Sequence, residues 1–169
     1  MKDNMLFQPH NDGHGNGGGQ GRNTQGNYAQ PHNNAAANGQ GQALNPQTII
    51  GLYTKEWITN EPTPSMIDFA EAAGKYMAKN KMTYSQIRNV YGEIKRIQMG
   101  GYDNKKASFY LLRPKVAYAV ARMRGNGLEF FQQVFTKAYP DVSNAKSFNN
   151  FCALMEAILA YHKANNDQE

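Results

Sequence analysis

The sequence predicts an all-α protein: a compact bundle of five or six helices preceded by a disordered Gly/Asn/Gln-rich tail. Three observations lead there. From Gln47 onward apolar residues recur with the 3.6-residue period of a helix. Short Pro or Gly clusters, at Pro62 and Pro64, Gly100–Gly101, Gly125–Gly127 and Pro140, divide that pattern into segments of helix length. Ahead of it, residues 1–46 hold nine Gly, nine Asn and six Gln, and the few bulky apolar side chains among them cannot offset the entropy of ordering the segment. The expected organisation is a low-complexity tail over 1–46 and a helical domain over 47–169, about 120 residues and enough for one core.

The elements follow in order. A short segment with Ile49, Ile50, Leu52, Tyr53 and Trp57 has no clear form and is broken by Pro62 and Pro64. Ser65, with Asp68 three residues later, has the spacing of a capping box and opens a helix to about Lys79. Thr83 and Gln86 repeat the spacing and open a helix to about Gln98, with Ile87, Val90, Ile94 and Ile97 on one face. A stretch from about Asp103 to Arg124 must bend or restart at Pro114, because proline costs a helix interior roughly 3 kcal/mol. Gly125–Asn126–Gly127 stops it. Leu128, Phe131, Val134, Phe135 and Ala138 mark the next helix, ended by Pro140. The last carries a wide apolar stripe of Phe148, Phe151, Cys152, Met155, Ile158, Leu159 and His162, where His162 is expected to be partly buried near the helix end. Short links between such helices argue for a bundle.

Composition excludes several functions. One cysteine cannot form an intramolecular disulfide, so a stapled secreted scaffold is ruled out. No apolar run is long enough to span a bilayer, and Met1 to Asp12 lacks an apolar core of signal-peptide length, so a cytoplasmic location is expected. The formal charge is +5, and its placement is uneven. Residues 75–124 carry twelve bases against Glu93 and Asp103, whereas the tail is neutral and the flanking segments are mildly acidic. Such a block suits a polyanionic partner.

Motifs for catalysis or cofactors are weak. Gly13 to Gly18 matches GxGxxG, but it lies in a glycine-rich tract with no strand before it and no helix after it. His10, His14 and His32 fall in the tail, and no Cys/His cluster supplies the about four ligands of a structural metal site. Cys152 sits on an apolar face, the place of a core residue rather than of an exposed nucleophile. The acids are scattered, and Glu93 reads as solvated surface. No active site, cofactor or metal is expected.

The basic block is more specific. At 100° per residue, Arg88 and Lys95 project within about 20° of each other, with Tyr84 and Tyr91 on the same side. Lys115 and Arg122 repeat this, with Tyr118 beside them and Val116, Val120 and Met123 on the other face. The spacing base–x2–Tyr–x3–base thus occurs twice, with Arg96, Arg113 and Arg124 nearby in sequence. Long cations can simply cover the edges of a helical core. A block with only two acids to pair favours instead a phosphate-tracking surface with rings available for stacking, as single-stranded nucleic acid requires. A membrane-surface role would need an apolar face free to insert, and the bundle uses those faces.

Three stretches then become specific: MTYSQIRNVYGEIKR (residues 82–96), LLRPKVAYAVAR (residues 111–122) and FNNFCALMEAILAYHK (residues 148–163). In composition, order and spacing they resemble the small helical subunit of type III-A CRISPR–Cas effector (Csm) complexes, over about residues 66–164. The resemblance implies an all-α bundle that stacks in several copies along a guide RNA–target RNA duplex and helps hold the target strand. It implies no nuclease activity. Its implied partners are guide RNA and target RNA, the backbone and large subunits, and neighbouring copies of itself, with no membrane. Arg88, Lys95, Lys115 and Arg122 occupy the family's motif positions, with Arg96 and Arg113 as adjacent RNA-binding candidates. Members often have Gly where this chain has Ala121, and the Gly/Asn/Gln-rich tail has no counterpart in the resemblance. The rival readings are a free-standing helical DNA-binding protein and a protein–protein scaffold with a basic docking face.

Overall fold

Helix formation starts where the chain first offers a cap. Asn45 Oδ1 accepts a hydrogen bond from the Gln47 N–H at 2.9 Å, and Pro46 takes the first helical position, where its missing N–H costs nothing. The computed structural model describes residues 45–166, and every regular element among them is helical. The tail expected over 1–46 lies outside the described residues as far as residue 44. The segment of unclear form is two short helices, α1 (Pro46–Gly51) and α2 (Glu56–Thr59). They bury Ile49, Trp57 and Ile58.

α3 (Pro64–Lys79) begins two residues earlier than a Ser65/Asp68 capping box would set it, with Thr63 rather than Ser65 at the N-cap. Pro64 sets the first helical φ after an extended Thr63, so Ser65 is already inside the helix. Its hydroxyl instead receives the Trp57 Nε1–H at 3.2 Å, pinning α2 to α3. α4 (Tyr84–Gly100) starts as expected, with the Thr83 N–H donating to Gln86 Oε1 at 2.8 Å, and ends at Gly101, whose φ is +79°.

A 3-10 turn at Asp103–Lys105 leads into α5 (Lys106–Tyr110) and α6 (Leu112–Met123). The restart falls at Leu111, ahead of Pro114. In a continuous helix the Pro114 ring would strike the Tyr110 carbonyl, and no N–H exists to pair with it, so the chain breaks a turn upstream and leaves Pro114 in the first turn of α6. Arg124 (φ +36°) and Gly125 (φ +146°) turn the chain into α7 (Asn126–Ala138). Gly127 is therefore no stop: it lies inside α7 and is buried, and a Cβ there would come within 2.9 Å of the Met77 carbonyl oxygen and of Met82 Cβ. A second 3-10 turn, Tyr139–Asp141, precedes α8 (Ala145–Asn166). Asn144 Oδ1 accepts from the Ser147 N–H at 2.9 Å, and Ser147 Oγ accepts from the Asn144 N–H at 3.0 Å, a reciprocal cap at the start of α8.

Five of these helices are twelve residues or longer, and they enclose one core in a compact bundle. α3 and α8 form its most extensive contact. Gly74 permits it: a Cβ there would lie 2.6 Å from the His162 nitrogen, 2.7 Å from Tyr161 Cβ and 2.9 Å from the Ile158 oxygen. Against this pair sits an aromatic cluster in which Phe109 stacks on Tyr139 (centroids 4.5 Å, planes 9° apart) and Tyr102 on Phe148 (5.2 Å). Phe130, outside the apolar spacing read from the sequence, is buried against Tyr76 at 4.6 Å. Long-range polar bonds fix the ends. Tyr53 OH donates to Asp141 Oδ2 at 2.6 Å, and Asn150 Nδ2 donates to the Ile58 and Asn60 carbonyls.

His162 is fully buried rather than partly so. Its Nε2 lies 2.7 Å from the Met82 carbonyl oxygen, which can only accept, so Nε2 carries the proton. Nδ1 is buried with no partner.

Candidate nucleic-acid interface

α4 and α6 present the basic block. Both bury one stripe, Ile87, Val90, Ile94 and Ile97 on α4 and Leu112, Val116 and Val120 on α6, which leaves their other faces to charged and aromatic side chains. Between the two helices runs an open groove of about 350 Å3. Lys115, Tyr118 and Arg122 form its α6 wall, Gln86, Asn89 and Glu93 its α4 wall, and Val90, Ala119 and Met123 add apolar surface. Met123, expected on the core face of α6, is 39% exposed at this edge because the helix ends there. Tyr118 is 68% exposed, so its ring offers a free face.

Glu93 organises the groove. Its Oε2 receives Arg96 Nη2 at 2.7 Å and Lys115 Nζ at 3.0 Å, joining α4 to α6 through one carboxylate oxygen. The Arg96 hydrogen bond, followed by that of Lys115, holds the Glu93 carboxyl below the ordinary glutamate value. Reading Glu93 as plain solvated surface missed this. Its i,i+3 spacing to Arg96 was the available signal, while the partner on α6 lies 22 residues away and has none.

The six candidate bases do not converge. Lys115 and Arg122 share the groove. Lys95 projects toward α8, where its Nζ lies 3.6 Å from Glu156 and 5.9 Å from the Tyr91 ring, and Arg88, within about 20° of Lys95 by helical spacing, is likewise outside the groove lining. Tyr91 is half-buried there, and burial first and Glu156 second push its hydroxyl pKa up. Arg113, two residues before Lys115, points about 160° away from it on α6 and outside the groove. Lys95, Arg96 and Lys115 thus carry ion pairs, whereas Arg88, Arg113 and Arg122 are exposed with no acid within 4 Å among the described residues.

Nothing among the described residues groups three or more His, Cys, Asp or Glu side chains as metal ligands would be. Cys152 is buried on α8, and burial pushes its thiol up to about 12, far from a ready nucleophile. No helix among the described residues is long and apolar enough to cross a membrane.

A family model described as Csm2 Type III-A matches residues 60–168, a span that takes in α3 through α8 and both walls of the groove. No curated protein and no solved structure matches.

Proposed function

The chain belongs to the Csm2 Type III-A family, the small subunits of type III-A CRISPR–Cas Csm complexes, and we propose that within such a complex it binds RNA without catalysing its cleavage. On this reading several copies stack along the duplex of guide RNA and target RNA in the cytoplasm, beside the backbone and large subunits. Arg88, Lys95, Arg96, Arg113, Lys115 and Arg122 hold the target strand through phosphate and sugar, and the guide supplies the sequence.

The observation that carries the reading is the α6 wall of the groove, where Lys115, Tyr118 and Arg122 stand side by side within the family match and Arg122 has no acid within 4 Å among the described residues. A cation without a protein partner is available to a phosphate. Arg122→Ala should weaken binding of single-stranded RNA similarly for all sequences and shallow the log–log salt dependence by about 0.7, the value for one contact to a single strand. The fold should be untouched, because the side chain is exposed. Loss confined to one RNA sequence, or an unchanged slope, contradicts the proposal. Preference for one duplex DNA sequence over RNA would instead favour a DNA-binding protein, and failed assembly without any RNA effect would favour a docking scaffold.

A further inference from the structure

We propose that the α4–α6 groove is a seat for one unstacked nucleotide of single-stranded RNA, whose base lies on Tyr118 and whose phosphate meets Arg122. This rests on the RNA-binding reading and goes beyond it, because that reading needs only the backbone of the strand.

Size, charge and hydrogen-bonding capacity agree on the occupant. At about 350 Å3 the groove falls at the lower end of the roughly 300–1,000 Å3 typical of small-molecule sites, room for one nucleotide and not for a helical stack. Glu93 engages Lys115 within the groove while sharing its one negative charge with Arg96, which leaves Arg122 as the groove's one cation with no acid within 4 Å among the described residues, placed to meet the phosphodiester. The aromatic face is the ring of Tyr118, a residue 68% exposed and one helical turn from Arg122. Across the groove, Asn89 makes no side-chain hydrogen bond among the described residues, so it can offer a base edge both a donor and an acceptor. Gln86 gives its oxygen to the Thr83 N–H, which fixes the amide and leaves its NH2 as a further donor. An inorganic anion could accept from the amide NH2 groups but would leave the ring unused. An acidic side chain of a neighbouring subunit would use Arg122 and leave Tyr118 idle.

The test is equilibrium binding of the full chain to a short single-stranded RNA, to the same RNA carrying one 2-aminopurine, and to an abasic ribose–phosphate strand of equal length. The wild type should bind the abasic strand at least about fivefold more weakly than RNA, the low end of what stacking one base on an aromatic ring contributes. It should also quench 2-aminopurine fluorescence. Tyr118→Ala should lose the same factor on RNA, lose nothing further on the abasic strand, and abolish the quenching, while Tyr118→Phe behaves as wild type. Arg122→Ala should weaken both strands yet still quench at saturation. If Arg122→Ala weakens binding while Tyr118→Ala and base removal change nothing, the nucleotide seat is wrong and RNA binding stands. If no strand binds, or if Arg122→Ala and Tyr118→Ala both bind as wild type, the RNA reading falls and the seat with it.

Discussion

Two helix pairs in this molecule treat the space between them differently. α3 and α8 meet at Gly74, so closely that one added carbon would strike the backbone of the facing helix. α4 and α6 hold a groove between them, lined by Val90 and Ala119 among others and bridged by Glu93 and Lys115. The first pair has its side chains sealed in the core, and the second keeps charged, amide and aromatic groups in water. The difference puts the tightest packing and the proposed binding groove in separate parts of the bundle, so that each can be altered by substitutions that leave the other in place.

The largest effect should come from closing what is already closed. Gly74→Ala gains about 1 kcal/mol of helix propensity. The new Cβ meets backbone atoms at 2.6 and 2.9 Å that cannot step aside as a side-chain tip would, so α3 and α8 must separate. We expect a net loss of about 3 kcal/mol by chemical denaturation, at the upper end for overpacking; a neutral result would mean that the two helices slide apart freely. The same substitution in the open pair should act with the opposite sign. A Cβ at Gly92 on α4 meets nothing within 4 Å, so Gly92→Ala should raise stability by about 0.5–1 kcal/mol; a loss would show that α4 tolerates no change there.

Glu93→Gln should alter stability least and binding in an informative direction. It frees Lys115 and Arg96, so affinity for single-stranded RNA should rise and its salt dependence steepen; weaker binding would mean that the ion pairs orient the bases for the strand. The pH dependence carries a definite sign. A carboxyl held below its ordinary value of 4.5 contributes stability above that pH and loses it as the pH falls through the folded value. Wild type should therefore lose more stability than Glu93→Gln below about pH 4.5, where the ordinary carboxyl begins to protonate; parallel curves would contradict the pairing.

The sequence displayed most of the fold because five long helices each repeat an apolar stripe through several turns. α1 and α2 were not legible: six and four residues are too short to show a period, and what holds them is tertiary, namely the Trp57–Ser65 bond and Asn150 reaching from α8. The role of Gly127 was hidden for a related reason, since a glycine that admits a neighbouring backbone looks the same in sequence as one that ends a helix. Half of the groove was readable. The seven-residue spacing does set Lys115 and Arg122 side by side. The same spacing puts Arg88 and Lys95 together but cannot say that both fall outside the groove, with Lys95 paired to Glu156 of α8. Asn89 and Gln86 join the site through the rotation of α4 against α6, which no local pattern records.

The position of Cys152 bears on handling the protein as well as on its core. It is the only sulfhydryl in the chain, and it sits at 1% exposure on the buried face of α8 with its ionisation pushed to about 12. Copies of the folded chain crowded together therefore cannot cross-link through sulfur, and oxidants in the surroundings find no thiolate to attack. Any labelling of that cysteine reports unfolding, so the chain carries a built-in gauge of its own integrity.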